Sequence, residues 1–303
     1  MKVCVIGGSG IKSTISALKR ENSMELYCIV SVFDSGGSTG VLRRSLGVHA
    51  MGDLRDVLFS ASENDELTDM LKERIEVGGT KHSLGNFLLI TFMHKYGEDY
   101  LKHLSDKLSI PKNIHIIPIV KDINYTGNMY IDTEHGRLIG EHNLDTEENI
   151  NINSIGLDKR AALNPEAEEA ISKSDYVLFG PGDLYSSILV NSLVDGFVDT
   201  VSRSKAKKIL ITNIMNKTSE TMDFKSSDFI RSFEKYGISI DASVINTKIT
   251  ETDNINLKYG KVSGFVRNDI YNDKAILADL INERVPFEHD PEKLRDTLLK
   301  ILV

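Results

Sequence analysis

The sequence predicts an α/β fold with a mainly parallel β-sheet. Short apolar runs, such as residues 3–6 and 176–179, alternate with amphipathic helical patterns. Several runs are continuously apolar, as expected for strands that are buried on both faces. Glycines follow many of these runs, and in open α/β sheets ligands bind at the carboxyl ends of the strands. We therefore expect the ligand-binding residues in the turns that follow the strands.

The alternation of patterns runs through the whole chain. The predicted strands cover residues 3–6, 26–33, 114–120, 176–179, 208–212 and 240–245. The predicted helices cover residues 12–21, 53–62, 66–75, 86–108, 165–172, 191–204, 227–236 and 291–302. Residues 122–150 break the alternation with two short strand patterns around a glycine-bearing turn, which is typical of a β-hairpin. We expect one domain, residues 1–303, with a small β-hairpin insertion at about residues 122–150.

Composition and charge exclude some classes of protein. The net charge is −8 and the calculated pI is about 5.6, whereas proteins that bind nucleic acids normally carry a basic face. No apolar run approaches the length of a membrane-spanning helix, about 18 residues or more. Cys4 and Cys28 lie inside predicted strands, which favours buried free thiols in a reducing compartment. We expect a cytoplasmic protein without a membrane span or a nucleic-acid partner.

Two glycine-rich turns follow the first two predicted strands. Residues 7–10 read Gly-Gly-Ser-Gly, and residues 34–40 read Asp-Ser-Gly-Gly-Ser-Thr-Gly. Backbone N–H groups in such turns can approach a phosphate closely, although glycine turns of this kind also serve packing alone. Asp34 can hold a metal, orient a ribose hydroxyl or cap the turn. The candidate ligand-binding residues in the two turns are Gly7, Gly8, Gly10, Asp34, Gly36, Gly37 and Ser38.

Two further motifs lie at predicted helix starts. Asp53 begins one helix, where it can act as an N-cap, and Arg55 lies in the first turn, where it can bind phosphate bidentately. His82, Ser83 and Asn86 precede the long helix, where they can bind an anion or transfer a proton. Ser83 does not lie in a Gly-x-Ser-x-Gly motif, which argues against a role as a hydrolase nucleophile.

The last two motifs close later strands. Residues 179–187 place Gly180, Gly182, Asp183 and Tyr185 after an apolar run, which supplies backbone donors, an acid and a hydroxyl. Asn213 follows the strand at residues 208–212, and its amide suits recognition of a base or a sugar. All of these residues are candidate ligand contacts.

Taken in order, these segments resemble the CofD-like superfamily, which includes 2-phospho-lactate transferase and the YvcK-type gluconeogenesis-factor proteins. The resemblance is closest to the YvcK-type proteins and spans nearly the whole chain. Residues 82–86, His-Ser-Leu-Gly-Asn, are identical to the family motif. The other similar segments are residues 32–40, 51–55, 180–185 and 213–215, together with the tail at residues 289–294.

The resemblance implies a Rossmann-like three-layer fold with a nucleotide or nucleotide-sugar site. For YvcK-type proteins it implies UDP-sugar binding and a regulatory role in carbon metabolism, envelope synthesis and cell shape. For the transferase it implies Mg²⁺-dependent transfer of a phospholactyl group from a guanosine diphosphate donor to a deazaflavin acceptor. The chain departs from the family pattern at Ser35, at Ser9-Gly10 and at Glu288. Ser35 replaces a second aspartate, and Glu288 replaces an arginine, so an anion contact there is lost.

We favour a regulator that binds a nucleotide sugar over a transferase, and over a scaffold whose turns serve packing alone. Loss of the second aspartate weakens a two-carboxylate metal site, so affinity is expected to depend little on metal. In a transferase, Asp53 and His82 are the candidate catalytic residues, and Asp34 and Asp53 are the candidate Mg²⁺ ligands. The expected partner is a small-molecule nucleotide, and a homo-oligomer is left open.

Overall fold

The computed structural model describes residues 1–147, 150–250 and 262–302 of the chain. The strands are β1 (Lys2–Gly7), β2 (Glu25–Val30), β3 (Arg74–Val77), β4 (Thr80–Ser83), β5 (Ile114–Pro118), β6 (Met129–Thr133), β7 (Gly136–Ile139), β8 (Ile152–Leu157), β9 (Tyr176–Phe179), β10 (Lys207–Ile211), β11 (Met215–Lys217), β12 (Ala242–Asn246), β13 (Val262–Phe265) and β14 (Ala275–Ala278). The α-helices are α1 (Lys12–Leu18), α2 (Gly37–Leu46), α3 (Gly52–Ala61), α4 (Asp65–Lys72), α5 (Leu84–Tyr96), α6 (Tyr100–Lys107), α7 (Glu141–Leu144), α8 (Pro165–Lys173), α9 (Phe197–Arg203), α10 (Ser226–Lys235) and α11 (Pro291–Leu299).

A seven-stranded sheet in the order β14-β12-β10-β9-β1-β2-β5 forms the centre of the described structure. Every neighbouring pair in this sheet is parallel. Helices flank the sheet, with α1 packed against α3 and α11, and α8 packed against α9. The predicted α/β fold with a mainly parallel sheet is confirmed.

The chain changes its direction across the sheet between β1 and β9. From β1 it moves to β2 and then to the edge strand β5, and it later returns to β9 and continues through β10 and β12 to β14. In open α/β sheets, ligands bind at the point where the strand order reverses, outside the carboxyl ends of the strands. The turns that follow β1 and β9 therefore flank the expected position of a ligand.

The central strands are apolar because they are covered on both edges and both faces. Val3, Cys4, Val5 and Ile6 of β1 have no exposed surface. Full burial of one such aliphatic side chain contributes about 1.5–3 kcal/mol relative to exposure. Cys4 and Cys28 are buried free thiols, as the sequence predicted.

Two predicted helices are interrupted at glycines. The predicted helix at residues 86–108 is divided into α5 and α6, because Gly97 adopts a φ of 58° and begins a 3₁₀ turn. The predicted helix at residues 191–204 is a 3₁₀ turn followed by α9, and Gly196 between them adopts a φ of 91°. Left-handed backbone ends a right-handed helix, and glycine adopts it without steric cost.

One helix and one β-hairpin between β2 and α5 were not predicted. The glycine-rich segment after β2 begins α2, which ends where Gly47 adopts a φ of 66°. The predicted helix at residues 66–75 ends at Lys72, and β3 and β4 form an antiparallel hairpin directly after it. Every residue of β3 is exposed, so the hairpin lacks the half-buried alternation that predicts a strand.

The predicted insertion contains the expected hairpin and one strand more. β6 pairs with β7 in antiparallel fashion, and β8 pairs with the other edge of β6. β8 extends to Leu157, so the small sheet runs beyond the predicted boundary at residue 150. The short helix α7 follows β7 directly.

A helix that crosses a bilayer must be both long and strongly apolar. Within the described residues, no helix is long and apolar enough to do so.

Candidate functional site

A cavity of about 360 Å³ lies beyond the carboxyl ends of β1, β2 and β9. We call it the acidic cavity, because its lining includes the carboxyl groups of Asp34, Asp53, Asp56, Glu141 and Asp183. The other lining residues are Ser9, Gly10, Gly36, Gly37, Ser38, Thr39, Gly52, Arg55, Arg74, Gly182 and Ser187. The predicted turns after these three strands therefore meet at one edge of the sheet.

The turns after β1 and β9 are in direct backbone contact. A Cβ atom added to Gly10 would lie 2.5 Å from the Cα of Gly182 and 2.5 Å from the carbonyl oxygen of Pro181. Real Cβ atoms do not approach other atoms so closely, so only glycine fits at position 10 without a backbone shift. The glycine of the first turn is therefore required for the two turns to meet.

Asp53 connects the first turn to helix α3. The backbone N–H of Ser9 donates to Oδ1 of Asp53 at 2.9 Å. A Cβ atom on Gly8 would lie 2.6 Å from Oδ2 of the same carboxyl group. The N-cap residue of α3 is Met51, and its side chain makes no capping hydrogen bond. Asp53 thus binds the backbone of a different segment. It does not cap α3, which was one of the roles that the sequence allowed.

Asp34 holds the second turn. Its Oδ1 accepts a hydrogen bond from the backbone N–H of Gly36 at 2.7 Å, and the carboxyl group also bonds the Thr39 side chain. A Cβ atom on Gly52 would lie 2.6 Å from Oδ2 of Asp34. Asp34 therefore caps the turn through one oxygen, while the carboxyl group remains part of the cavity wall.

Burial raises the pKa values of three carboxyl groups in the cavity, and neighbouring carboxylates raise two of these pKa values further. Burial, and next the neighbouring Asp34 carboxylate, raise the pKa of Asp53 to about 7. Burial also raises the pKa of Asp34, although its hydrogen bonds and Arg55 oppose the shift. Burial, followed by Asp34, Asp183 and Asp53, raises the pKa of Glu141 well above its usual value. Several carboxylates that repel one another in this way form an environment that favours a bound cation.

Arg55 belongs to a chain of hydrogen bonds behind the cavity wall. Its Nε and Nη2 donate to Oδ1 of Asp56 at 2.9 and 2.7 Å, and its Nη1 donates to Oδ1 of Asn86 at 2.9 Å. Nδ2 of Asn86 donates to Oγ of Ser38 at 2.8 Å, and this hydroxyl lies 2.9 Å from Nδ1 of His82. Arg55 and Ser38 line the cavity, whereas Asn86 and His82 lie one residue behind it. His82 therefore reaches the cavity only through Ser38.

Other predicted residues hold the turns from outside the cavity lining. Ser83 caps α5, since its Oγ accepts from the backbone N–H of Gly85 at 3.2 Å. The Tyr185 hydroxyl is buried 3.4 Å from Oγ of Ser232. The remaining predicted residues that do not line this cavity are Gly7, Gly8 and Gly180, which pack at the strand ends, and Asn213.

The structure brings Glu141 into the acidic cavity, which the sequence analysis did not predict. Oγ of Ser35 faces the insertion, because it accepts from the backbone N–H of His142 at 3.4 Å and lies against Gly140. The insertion is thereby held close to the strand ends, and Glu141 of α7 lines the cavity. The carboxylate that the family pattern places at position 35 is absent, but the insertion supplies another.

Lys217 joins the insertion to the strand-end turns. Its Nζ lies 2.7 Å from Asp145 of the insertion, 2.5 Å from Asp183 after β9 and 3.6 Å from Glu220. Burial lowers the pKa of Lys217, but Glu220, Asp183 and Asp145 outweigh it, so the net direction is upward and the ammonium stays charged. A single ammonium group therefore compensates carboxylates from three separate segments.

A second cavity, of about 710 Å³, adjoins the acidic cavity. We call it the side cavity. The two cavities share Gly10, Asp56, Gly182 and Asp183 in their walls. The further lining residues of the side cavity are Lys12, Ser13, Ser16, Phe59, Ser60, Lys72, Pro181, Asn213, Ile214, Met215, Asn216, Lys217, Asn282, Phe287, Glu288, His289 and Pro291. Together the cavities offer one acidic compartment and one larger compartment with several apolar side chains.

Asn213 and Glu288, which the sequence analysis singled out, both line the side cavity. Oδ1 of Asn213 accepts from the backbone N–H of Gly182 at 3.2 Å, which leaves its amide nitrogen as a donor near the shared wall. Glu288 lies 3.4 Å from Nζ of Lys12, so a lysine of α1 supplies the positive charge at this position.

A third cavity, of about 640 Å³, lies along the edge strand β5. None of the predicted site residues lines it. Cavity volume alone therefore does not identify the candidate site. The convergence of the turns after β1, β2 and β9 identifies it.

The acidic cavity lacks a complete protein cage for a metal. Within residues 1–147, 150–250 and 262–302, no group of three or more His, Cys, Asp or Glu side chains is placed to hold a metal ion. A cation here would need ligand oxygens in addition to the carboxylates, as Mg²⁺ commonly does when it binds phosphates.

Comparison with known proteins gives a family match over most of the chain. The family model described as 2-phospho-L-lactate transferase CofD matches residues 3–285. A protein of Thermotoga maritima named "Putative gluconeogenesis factor" is 33% identical, with 99% of each chain covered. The "Gluconeogenesis factor" of Bacillus subtilis is 29% identical, with 98% of this chain and 96% of that protein covered.

A solved structure has the same architecture. The crystal structure of a UPF0052-family protein from Bacillus halodurans matches with a TM-score of 0.88 at 28% sequence identity, with 98% of each chain covered. The resemblance to the gluconeogenesis-factor proteins in the sequence analysis is thereby confirmed.

Proposed function

The chain belongs to the CofD family, and we propose that it is a regulatory protein of the gluconeogenesis-factor type that binds a nucleoside diphosphate sugar, with UDP-sugars as the expected class. The observation that carries the proposal is the pair of adjoining cavities at the point where the strand order reverses. The names of the relatives support a link to carbon metabolism. We extend this proposal to the cell envelope and cell shape, as the resemblance implies.

The acidic cavity is the proposed site of the diphosphate. Backbone N–H groups around Gly36 and Gly37 lie at the N-terminus of α2, which favours bound phosphate. Arg55 and Arg74 line the same cavity and add positive charge. A diphosphate next to Gly10 and Gly182 would lie at the shared wall, so the rest of the nucleotide can extend into the side cavity.

A divalent cation fits the acidic cavity together with the diphosphate. Five carboxyl groups face two arginines in the lining, so a bare diphosphate would meet net repulsion. Asp34 and Asp53 are the carboxylates that would hold Mg²⁺, with phosphate oxygens as further ligands. Once bound, the cation neutralises charge on the phosphates. Because Glu141 adds a carboxylate to the cavity, we expect the affinity for the nucleotide to depend on Mg²⁺. The replacement of an aspartate by Ser35, taken alone, had indicated little dependence on metal.

The side cavity is the proposed site of the nucleoside. It is the larger compartment, and Phe59, Met215 and Phe287 supply apolar surface for a flat ring. The amide nitrogen of Asn213 is a donor beside the shared wall, which suits a ribose hydroxyl or a base carbonyl.

A transferase is the second candidate, and one observation favours it. The pKa of Asp53 lies near 7, which suits a group that accepts or releases a proton at neutral pH. His82 would contribute only by orienting Ser38, since these two side chains are in contact 2.9 Å apart. The acceptor hydroxyl of a deazaflavin would then attack the phospholactyl phosphorus of the guanosine diphosphate donor, and guanosine monophosphate would leave as the P–O–P bond breaks, as the resemblance to the transferase implies.

A thermal-shift screen tests nucleotide binding, because a ligand that binds the folded state raises the melting temperature. A measurement of nucleotide release then distinguishes the regulator from the transferase. We expect UDP and UDP-sugars with Mg²⁺ to raise the melting temperature of the full chain. A regulator should bind without releasing nucleotide during prolonged incubation. Nucleotide release that requires a deazaflavin acceptor and is lost in Asp53→Ala would establish the transferase instead. No shift with any nucleotide would contradict the proposed function.

A further inference from the structure

Arg74 carries an uncompensated positive charge in the wall of the acidic cavity. The cationic side chains that line this cavity are Arg55 and Arg74. Arg55 forms an ion pair with Asp56 at 2.7 Å. Arg74 makes no ion pair with any carboxylate among the residues that the structure describes, and its side chain donates one hydrogen bond, from Nη1 to the carbonyl oxygen of Lys81 at 3.2 Å. The charge of Arg74 is therefore available to an anionic ligand.

The hairpin of β3 and β4 fixes the position of the Arg74 backbone. Arg74 is the first residue of β3, and it pairs with Ser83, the last residue of β4. The neighbouring His82 is buried, and its Nδ1 lies 2.9 Å from Oγ of Ser38 in the first turn of α2. The hairpin is therefore tied to the glycine-rich turn that forms the proposed phosphate site.

The guanidinium group of Arg74 can turn toward a ligand without breaking buried contacts. Every residue of β3 is exposed, and the hydrogen bond from Arg74 to Lys81 is exposed as well. The Arg55 side chain, by contrast, is only 11% exposed, and its three nitrogen atoms already bind Asp56 and Asn86. A change of rotamer at Arg74 costs one exposed hydrogen bond, and its planar fork then offers two parallel donors to a phosphate.

The walls of the two cavities indicate which phosphate group lies near Arg74. Gly10 and Gly182 line both cavities, whereas Arg74 lines the acidic cavity and not the side cavity. With the nucleoside in the side cavity, the α-phosphate lies at the shared wall and the β-phosphate lies farther into the acidic cavity. Arg74 therefore lies on the side of the shared wall that the β-phosphate occupies.

Resting on the proposed nucleotide site, we propose that Arg74 is a specificity-determining residue that donates to the β-phosphate and thereby selects nucleoside diphosphates over monophosphates. Five carboxyl groups line the acidic cavity, and none of them can donate to a phosphate when ionised. Arg74 supplies charge-assisted hydrogen bonds that these groups cannot supply. A nucleoside monophosphate has no phosphate at this position, so it gains no hydrogen bond from Arg74.

The test is titration calorimetry of UDP and UMP into the full chain with Mg²⁺, or of GDP and GMP if guanine is the preferred base. The weaker affinity of the monophosphate is measured by displacement of the diphosphate. We expect Arg74→Ala to weaken binding of the diphosphate by about tenfold or more, the scale of a charge-assisted contact with phosphate. Binding of the monophosphate should weaken by less than about threefold, because only the screened attraction of a distant charge is lost.

Arg44→Ala is the matched control. Arg44 is also an exposed arginine and lies in α2, but it lines neither cavity. This variant removes the same charge, and both affinities should stay within about twofold of those of the unaltered protein. If Arg74→Ala fails to fold, Arg74→Lys replaces it. The lysine keeps the charge but lacks the planar fork, so it should still weaken the diphosphate more than the monophosphate.

The outcomes separate this inference from the proposed function. Unchanged affinity of Arg74→Ala for the diphosphate, or an equal loss of affinity for the diphosphate and the monophosphate, would overturn the role of Arg74 while the nucleotide site stands. An equal loss in Arg44→Ala would overturn it as well, because the effect would then belong to net charge. Failure of every nucleotide to bind the unaltered protein would overturn the proposed function and this inference with it.

Discussion

The backbone N–H of Ser9 donates to Oδ1 of Asp53 at 2.9 Å, which joins the turn after β1 to the first residues of α3. This hydrogen bond lies beside the reversal point of the sheet, and the Asp53 carboxyl group is close enough to that of Asp34 for the two charges to interact. The pKa of Asp53 is nevertheless raised, because burial and Asp34 outweigh the hydrogen bond. The carboxylates of the acidic cavity therefore repel one another when no cation is bound. This repulsion should lower the stability of the folded protein.

The first prediction concerns the pH dependence of stability. The pKa of Asp53 is about 7 in the folded protein and about 4 in an unfolded chain, so the folded state binds more protons between these values. Stability contributed by this group is present below about pH 4 and is lost as the pH rises through 7. We expect Asp53→Asn, which cannot ionise, to be more stable than the unaltered protein at pH 7.5 by up to about 4 kcal/mol, the energy of a shift of about three pKa units. Urea unfolding in EDTA at pH 5 to 8 measures this, and an unchanged pH profile in the variant would refute it.

The second prediction concerns the contact between the turns after β1 and β9. Gly10→Ala would place a Cβ atom 2.5 Å from the Cα of Gly182, so the turns must separate. We expect a loss of about 1–3 kcal/mol in the free energy of unfolding, the usual cost of overpacking. Gly36→Ala is the matched control, because a Cβ atom there meets nothing closer than 3.4 Å. Similar losses in both variants, measured by urea unfolding, would show that the turns can move apart freely.

The third prediction concerns Arg55. Its guanidinium group is held by Asp56 and Asn86, so it is oriented before a ligand arrives. We expect Arg55→Ala to weaken binding of UDP with Mg²⁺ by about 1.5–3 kcal/mol, the scale of a hydrogen bond to a charged group. Titration calorimetry measures this value. Affinity within a factor of two of the unaltered protein would assign Arg55 to the scaffold alone.

The fourth prediction concerns Lys217. Lys217→Met removes the ammonium group that compensates Asp145, Asp183 and Glu220. We expect the free energy of unfolding to fall by about 3 kcal/mol, because the remaining partly buried carboxylates repel one another. Lys173→Met is the control, since Lys173 pairs with Glu169 on the exposed surface of α8 and such pairs contribute about 1 kcal/mol or less. Equal losses in the two variants would argue against the role given to Lys217.

The sequence predicted the sheet and most of the turns for a clear physical reason. Apolar runs followed by glycine and aspartate mark the ends of buried strands, so Gly10, Asp34 and Gly182 could be assigned to one edge before their contacts were known. Asp53 also lines the acidic cavity, and its hydrogen bond to Ser9 joins segments 44 residues apart and follows from no local pattern.

Other residues could not be predicted from local patterns. Glu141 reaches the acidic cavity only because the insertion packs against Ser35, and sequence reveals no such contact. His289 precedes Asp290, which caps α11, so the segment resembles an ordinary helix start, although the structure places His289 in the wall of the side cavity.

The most direct test of the account is titration calorimetry of UDP-N-acetylglucosamine into the full chain, with Mg²⁺ and with EDTA. The account predicts saturable binding of one nucleotide per chain in Mg²⁺, and affinity at least tenfold weaker in EDTA, because the carboxylates of the acidic cavity repel an uncompensated diphosphate. Asp34→Asn should reduce the difference between the two conditions. Equal affinity in Mg²⁺ and EDTA would contradict the proposed role of the cation, and the absence of binding by this ligand, UDP and GDP would contradict the central claim.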